Sequence, residues 1–268
     1  MARRSRKRKK KLSLFGRLLT DILLIISLGT AGYSGYRLWQ GLHEYHQSEA
    51  AYEDIRTTVQ VVATPEPTPT PEAYVDPHTF PEVTIDYDAL QQQNGDFAGW
   101  VYMPDSTIDL PIVQGSDNEF YLYHLFNGEY NKSGCVFLDT HCQKDFSDKV
   151  NVLYAHHMKN GTMFADIEKF KEQSWYDAHK VIQLTTKDIC LEVDPVAGMI
   201  ANGSTAYIRY DFADDADFMN YVQSFLDKST FVSDVSITPE DSIVLFSTCS
   251  YDVYDGRYVL LGRVRQVR

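Results

Sequence analysis

Ile243-Val244-Leu245-Phe246-Ser247-Thr248-Cys249 is an apolar run that ends in small polar residues and a thiol. Branched and aromatic side chains bounded by polar residues are typical of a buried strand. A second apolar run, Tyr258-Val259-Leu260-Leu261, follows after a polar loop, so the two predict a hairpin. Cys249 would then lie at a strand end, where catalytic side chains often emerge.

Short apolar runs of the same kind recur through the C-terminal two-thirds of the chain. They occupy residues 100–103, 108–113, 135–138, 150–154, 181–184, 189–193 and 258–264. Helical periodicity is confined to residues 162–171 and, more clearly, to residues 217–228. Many short strands with few helices predict a mainly β domain over residues 80–268, built as a closed or nearly closed β-barrel.

Charge is divided unevenly along the chain. Residues 3–17 contain nine Lys or Arg and no acidic residue, although the whole chain has a formal net charge of −12. The remainder is therefore strongly acidic. An acidic body excludes nucleic acid as the main partner, because phosphate binding needs a cationic surface.

An apolar segment follows the basic residues directly. Residues 18–38 are long enough to cross a bilayer as a helix, with Asp21 near one end and Trp39 suited to the far interface. The positive-inside rule then makes residues 1–17 a cytoplasmic segment and places the rest outside the cell membrane. A cleaved signal peptide is the competing interpretation, but no clear small-x-small cleavage site follows a short apolar core. A buried soluble helix is disfavoured by the adjacent cations.

Residues 39–79 predict a spacer between this signal-anchor and the barrel. Their first part has the pattern of a polar helical stalk, and residues 64–71 alternate proline with threonine or glutamate. Alternating proline favours an extended, semi-rigid linker.

Four cysteines are present, and an exported domain could use them as disulfides or as thiols. Cys135 and Cys190 lie in apolar runs and are predicted to be buried. Cys142 follows Cys135 by seven residues in a polar loop, so these two could form a disulfide. The sequence has no CxxC pattern, which leaves a zinc site without support.

Cys249 has two candidate partners for nucleophilic chemistry. A thiol needs a neighbouring histidine or cation to react near neutral pH. Arg257 begins the second strand of the predicted hairpin, and His156 follows the apolar run at residues 150–154. Each of the three also has a plain structural interpretation, as a strand-end cysteine, a loop histidine and a surface charge.

At these positions the sequence resembles class B of the sortase family. Leu245-Phe246-Ser247-Thr248-Cys249 resembles the family's Thr-Leu-x-Thr-Cys strand end, and Asp255-Gly256-Arg257-Tyr258-Val259 its arginine strand. The family's histidine segment resembles Tyr154-Ala155-His156-His157-Met158, and its opening strands and helix resemble residues 99–101, 108–114 and 117–122. Five positions depart from the pattern: Ala155 replaces glycine, His157 replaces asparagine, Leu245 and Phe246 replace the motif's threonine and leucine, and Ser250 stands where some members have an acid. His157 is therefore the alternative to His156.

The resemblance implies a transpeptidase of Gram-positive type that cleaves a C-terminal sorting signal after threonine. Cys249 would form a thioacyl intermediate, His156 would transfer protons, and Arg257 would stabilise the oxyanion. The acceptor would be an amine of the peptidoglycan cross-bridge or of its lipid-linked precursor. In a pilin-polymerising member it would be a pilin lysine.

The resemblance also implies a substrate groove and no cofactor. Predicted groove residues are Asn118, Leu122, Tyr207, Ile208, Ser247 and Thr248. Class B members need no bound calcium, so no metal site is expected. Two alternatives remain from the residues themselves. One is an exported cysteine peptidase that uses water as acceptor, and the other is a non-enzymatic surface-binding ectodomain in which Cys249 is buried and unreactive.

Overall fold

The computed structural model describes residues 14–62, 82–203, 207–250 and 255–266. Two compact units divide the chain between His46 and Gln47. The first unit consists of most of helix α1, Leu14–Arg56. This helix is long and apolar enough to cross a membrane, and its apolar side chains at residues 18–28 are exposed. The signal-anchor prediction for residues 18–38 falls on this part of the helix.

The second unit is built on a closed barrel of eight strands, which confirms the mainly β prediction. The strands follow one another around the barrel in the order β10-β8-β7-β3-β4-β5-β6-β9. Their bounds are β3 Phe97–Tyr102, β4 Asp109–Val113, β5 Val136–Leu138, β6 Val150–Tyr154, β7 Ile182–Thr185, β8 Cys190–Asn202, β9 Ile243–Ser250 and β10 Gly256–Gln266. Two further strands, β1 Val59–Val62 and β2 Glu82–Ile85, form a separate antiparallel pair.

Helices are short in this unit. They are α2 Tyr87–Gln93, α3 Ala165–Glu168, α4 Gln173–Ala178 and α5 Asp215–Leu226, with 3-10 turns at Phe120–Leu122 and Lys169–Lys171. The helix predicted at 217–228 is present as α5, which starts after an Asp214 side chain that caps the Asp217 amide. The helix predicted at 162–171 is shorter, because Met163 has a positive φ of 59° and regular helix begins only at Ala165.

The two faces of strand β9 pack against different cores. Val244 and Phe246 point into the main core, whereas Ile243 and Leu245 lie in a second core together with side chains of α5. Since side chains alternate along a strand, Ser247 and Cys249 continue the α5 face and Thr248 and Ser250 continue the inner face. This alternation determines which groups surround the thiol.

The last turns of α1 belong to the compact unit that contains the barrel. Tyr52 and Ile55 are buried, the Tyr52 hydroxyl donates to the Gly134 carbonyl, and Arg56 Nε donates to the Asp109 carbonyl at 3.0 Å. This compact unit therefore begins at Gln47, and the catalytic domain predicted for residues 80–268 lies within it. The Pro/Thr linker predicted at residues 64–71 and nearly all of the basic segment 1–17 lie outside the described residues.

Candidate active site

The β9–β10 pairing places a thiol opposite a guanidinium. In the antiparallel register Cys249 is the direct partner of Arg257, and both are half-buried. Directly opposite residues in such a pair have their side chains on the same face. Arg257 Nη1 donates to the Asp255 carboxylate at 3.1 Å and to the Gly256 carbonyl at 3.0 Å. These bonds orient the guanidinium at the end of the strand that carries it.

His156 is brought to the same end of the barrel by the neighbouring strand. Strand β6 runs parallel to β9, and the last registered pair between them is Tyr154 with Ser247. His156 and Cys249 each lie two residues beyond that pair, so both follow the ladder at the same end of these two strands. His156 Nε2 lies 2.8 Å from the Leu122 carbonyl oxygen, and its ring lies 6.2 Å from the ring of Tyr123.

The adjacent histidine has a different environment. His157 Nδ1 lies 2.6 Å from a carboxylate oxygen of Glu168 on α3. Its backbone forms an isolated bridge with Met163. His157 is thus engaged with the α3 segment, whereas His156 lies near the 3-10 turn at Phe120–Leu122. This difference favours His156 as the histidine that serves the thiol.

Two of the other cysteines, Cys135 and Cys142, lie in environments that suppress reactivity. Cys135 and Cys142 are free thiols that are 1% and 4% exposed, and burial raises the pKa of each to about 12. The disulfide considered for this pair is therefore not formed in the structure. The predicted burial of Cys135 is confirmed, whereas Cys190 is only half-buried and Cys142 is buried despite its polar loop.

Tyr207 and Ser247 join the group around the thiol. The Tyr207 hydroxyl lies 2.9 Å from Ser247 Oγ, and the Tyr207 carbonyl accepts a hydrogen bond from Tyr221 of α5. Burial raises the pKa of Tyr207, an effect that its hydrogen bond to Ser247 and the nearby charge of Arg257 partly oppose. The hydroxyl therefore remains protonated at neutral pH and can donate.

The remaining predicted groove residues are dispersed. Asn118 accepts a hydrogen bond from the Thr140 amide at 3.0 Å, and Leu122 contributes the carbonyl beside His156. Ile208 packs against the core beneath α5. Thr248 is buried on the inner face of β9, so its backbone, rather than its side chain, is available beside the thiol.

One acidic group near the site was not predicted from the sequence. Asp139 is buried directly after β5, where its carboxylate accepts hydrogen bonds from the His141 amide at 2.9 Å and the Tyr154 hydroxyl at 2.8 Å. Burial opposes its ionisation, but these bonds hold the pKa of Asp139 below its ordinary value. Its place directly after a strand was the available signal. Among the described residues no group of three or more His, Cys, Asp or Glu could hold a metal ion.

No protein-family model matches the chain. It is similar to sortase B of Listeria monocytogenes, with 30% identity over 244 residues that cover 90% of this chain and 95% of that protein. It is also similar to sortase B of Staphylococcus aureus, with 27% identity over 261 residues, 97% of this chain and 98% of the relative.

Solved structures agree with these relatives. A Staphylococcus aureus sortase B–substrate complex superposes with a TM-score of 0.65 and 29% identity, over 68% of this chain and 85% of that one. Sortase B of Clostridium perfringens gives a TM-score of 0.63 and 31% identity, over 66% of this chain and 98% of that one. The chain therefore belongs to the sortase B family of cysteine transpeptidases.

Proposed function

We propose that this protein is a membrane-anchored sortase that cleaves a C-terminal sorting signal after threonine and transfers the protein to an amine of the cell wall. The observation that carries the proposal is the register of three strands. It pairs Cys249 with Arg257, and the parallel ladder that ends at Tyr154 and Ser247 is followed on its two strands by His156 and Cys249. One related structure is described as a substrate complex and another as a complex with triglycine, which supports a peptide donor and an amine acceptor here.

The first step forms a thioacyl enzyme. Cys249 gives its proton to His156, and the thiolate sulfur attacks the threonine carbonyl carbon, forming a C–S bond. His156 returns the proton to the departing nitrogen as the C–N bond breaks, and the C-terminal fragment leaves as an amine. Splitting one difficult acyl transfer into two easier ones is the advantage of covalent catalysis.

Arg257 stabilises the negative charge that develops on the threonine oxygen. Its planar guanidinium has five N–H donors, and the recorded bonds to Asp255 and Gly256 both come from Nη1. The backbone N–H groups near Thr248 are further donors. A preorganised donor of this kind commonly contributes on the order of 3 kcal/mol of transition-state stabilisation.

The second step consumes an amine. The incoming nitrogen attacks the thioacyl carbon, His156 accepts its extra proton, and the C–S bond breaks to release Cys249. In our proposal the amine belongs to a peptidoglycan cross-bridge or to the lipid-linked precursor. The sorting signal would lie along Asn118, Leu122, Tyr207, Ile208 and Ser247, with Tyr207 and Ser247 nearest to the thiol.

The proposed location follows from the N-terminal sequence. Residues 18–38 would cross the membrane, residues 1–17 would remain in the cytoplasm, and the catalytic domain would face the cell wall. Exposed apolar side chains along this part of α1 support the anchor. Protease added to intact cells should therefore cut the catalytic domain and spare the N-terminal tail.

The direct test uses the full chain in detergent with a library of fluorescence-quenched peptides that carry a central threonine. Triglycine and a lysine-containing peptide are supplied separately as acceptors. We expect cleavage after threonine and a triglycine adduct, both lost in Cys249→Ala. Cleavage that survives in Cys249→Ala would contradict the proposal. Hydrolysis without an adduct would identify a peptidase, and transfer only to lysine would identify pilin polymerisation.

A further inference from the structure

The inner side of the catalytic strand end carries a chain of polar contacts. Lys171 Nζ lies 3.3 Å from the hydroxyl of Ser250, the residue that follows Cys249. Lys171 also forms an ion pair with Glu168, and the second carboxylate oxygen of Glu168 lies 2.6 Å from Nδ1 of His157, which follows His156. We call these four residues, His157, Glu168, Lys171 and Ser250, the inner tie. The inner tie therefore connects Ser250, which follows Cys249, with His157, which follows His156.

Burial distinguishes the inner tie from an ordinary surface ion pair. The Glu168, His157 and Lys171 side chains are 13%, 19% and 21% exposed, and Ser250 is buried. Solvent screens exposed pairs strongly, whereas partly buried charges attract one another over a lower effective dielectric constant. The ion pair between Lys171 and Glu168 is therefore screened less by solvent than a fully exposed pair.

The backbone joins His156 to the same segment. The Phe164 amide donates to the His156 carbonyl at 3.0 Å, and His157 forms a bridge with Met163. Helix α3 begins directly afterwards at Ala165 and carries Glu168. Consequently, any displacement of α3 relative to β9 would displace the His156 backbone.

The ladder between β6 and β9 leaves a gap that the inner tie spans. The last registered pair is Tyr154 with Ser247, and the Ala155 amide donates to the Ser247 carbonyl at 3.3 Å. His156 and Cys249 lie beyond this pairing, where the regular strand register no longer fixes their separation. Proton transfer requires the acid–base group to lie within hydrogen-bond reach of the nucleophile.

We propose that Glu168 and Lys171 are positioning residues, which hold His156 at the correct distance from Cys249 by coupling the α3 segment to the end of β9. The inference rests on the proposed roles of Cys249 and His156. Neither residue needs to touch the substrate. Ser250 takes part in the inner tie because its hydroxyl accepts a hydrogen bond from Lys171.

The test compares Glu168→Gln and Lys171→Met with a matched control, Lys169→Met, in the full chain in detergent. Lys169 also pairs with an acid three residues earlier, Asp166, and also lies over an aromatic ring, that of Trp175. Lys171 lies over the Tyr258 ring in the same way but additionally reaches β9. Lys171→Arg keeps the cation and serves as the rescue variant.

We expect kcat for cleavage of the quenched peptide to fall about 10- to 100-fold in Glu168→Gln and Lys171→Met, because a displacement of about 1 Å has an effect of that order. KM should stay within about twofold of the wild-type value, because interactions that bind the substrate equally in the ground state and the transition state are unchanged. Lys171→Arg should retain most of the activity and Lys169→Met all of it. Unfolding temperatures are measured in parallel.

Three results would overturn the inference. The first is a kcat in Glu168→Gln and Lys171→Met equal to that of Lys169→Met, and the second is a change confined to KM. The third is a loss of kcat that is seen only at temperatures at which the variant unfolds. Alkylation of Cys249 by iodoacetamide separates this inference from the proposed function. If the wild type cleaves no peptide, the proposed function fails. The inner tie is then judged by whether alkylation slows in its two variants and not in Lys169→Met.

Discussion

Cys249 and the pair Cys135 and Cys142 occupy contrasting regions of one barrel. Cys249 lies half-buried at the open end of β9, opposite Arg257. Cys135 and Cys142 lie in the core, where their sulfurs donate to the carbonyls of Pro111 and Val150 and burial raises the pKa of each to about 12. Position relative to the strand end, rather than spacing among cysteines, therefore distinguishes the proposed nucleophile from the buried thiols.

Removing each kind of thiol should give opposite phenotypes, and this is the largest effect we expect. Cys249→Ala should lower transpeptidation by roughly 10⁴-fold or more, as loss of a covalent nucleophile does elsewhere. Cys135→Ala should keep its turnover and lower the free energy of unfolding by about 1 kcal/mol. Peptide transfer and denaturant unfolding measure the two quantities. Equal transpeptidation by Cys249→Ala and Cys135→Ala would contradict the assignment of Cys249 as the nucleophile.

The guanidinium beside Cys249 gives the next largest effect. Arg257→Lys should lower kcat by about 10²- to 10³-fold, because lysine keeps the charge but loses the planar fork of donors. Arg263→Lys is the control, since Arg263 lies on the same strand and pairs with Asp194 at 2.7 Å, away from the thiol. Steady-state kinetics of the two variants provide the measurement. A similar loss in both would indicate a general effect on β10.

The two adjacent histidines sharpen the comparison further. His156→Gln should lower kcat by about 10²-fold, in the range for loss of a general acid–base group. His157→Gln should lower it less, because His157 acts through Glu168 rather than on the reacting atoms. Steady-state kinetics of the two variants provide the measurement, since His156→Gln should give the larger loss of kcat. The reverse result would make His157 the proton-transfer group.

The sequence predicted the barrel well because its strands are short apolar runs, and the fold depends on where those runs begin and end. It also predicted the hairpin that pairs Cys249 with Arg257. It did not predict the burial of Tyr52 and Ile55, because these two apolar residues, three apart in a mostly polar segment, do not reveal the surface that they cover. The roles proposed for Glu168 and Lys171 could not be predicted from the sequence either, because they depend on contacts with residues 11 and 79 positions away, His157 and Ser250.

Alkaline pH should reveal the buried thiols, with the smallest effect of the four. The ordinary thiol pKa is 9.0, whereas burial raises the pKa of Cys135 and of Cys142 to about 12. Below pH 9 both thiols are protonated in the folded and unfolded states, so they contribute no pH dependence. Above pH 9 the unfolded chain loses these protons first, and the free energy of unfolding should fall by roughly 1 kcal/mol per thiol between pH 9 and 10.

Buried tyrosines also contribute to the decrease over this range, so the thiol contribution is read as a difference from a variant that lacks the thiols. Among the described residues nine tyrosines, Tyr121 and Tyr258 among them, have pKa values raised by burial, and their unfolded forms begin to ionise as the pH approaches the ordinary value of 10.0. Urea unfolding at pH 9 and pH 10 should therefore give a smaller decrease in the variant Cys135→Ala/Cys142→Ala than in the wild type. Equal decreases would contradict the buried-thiol assignment. A wild-type decrease that matches that of the variant until a reductant is added, and then becomes larger, would instead indicate a disulfide between Cys135 and Cys142, because a disulfide has no proton to lose.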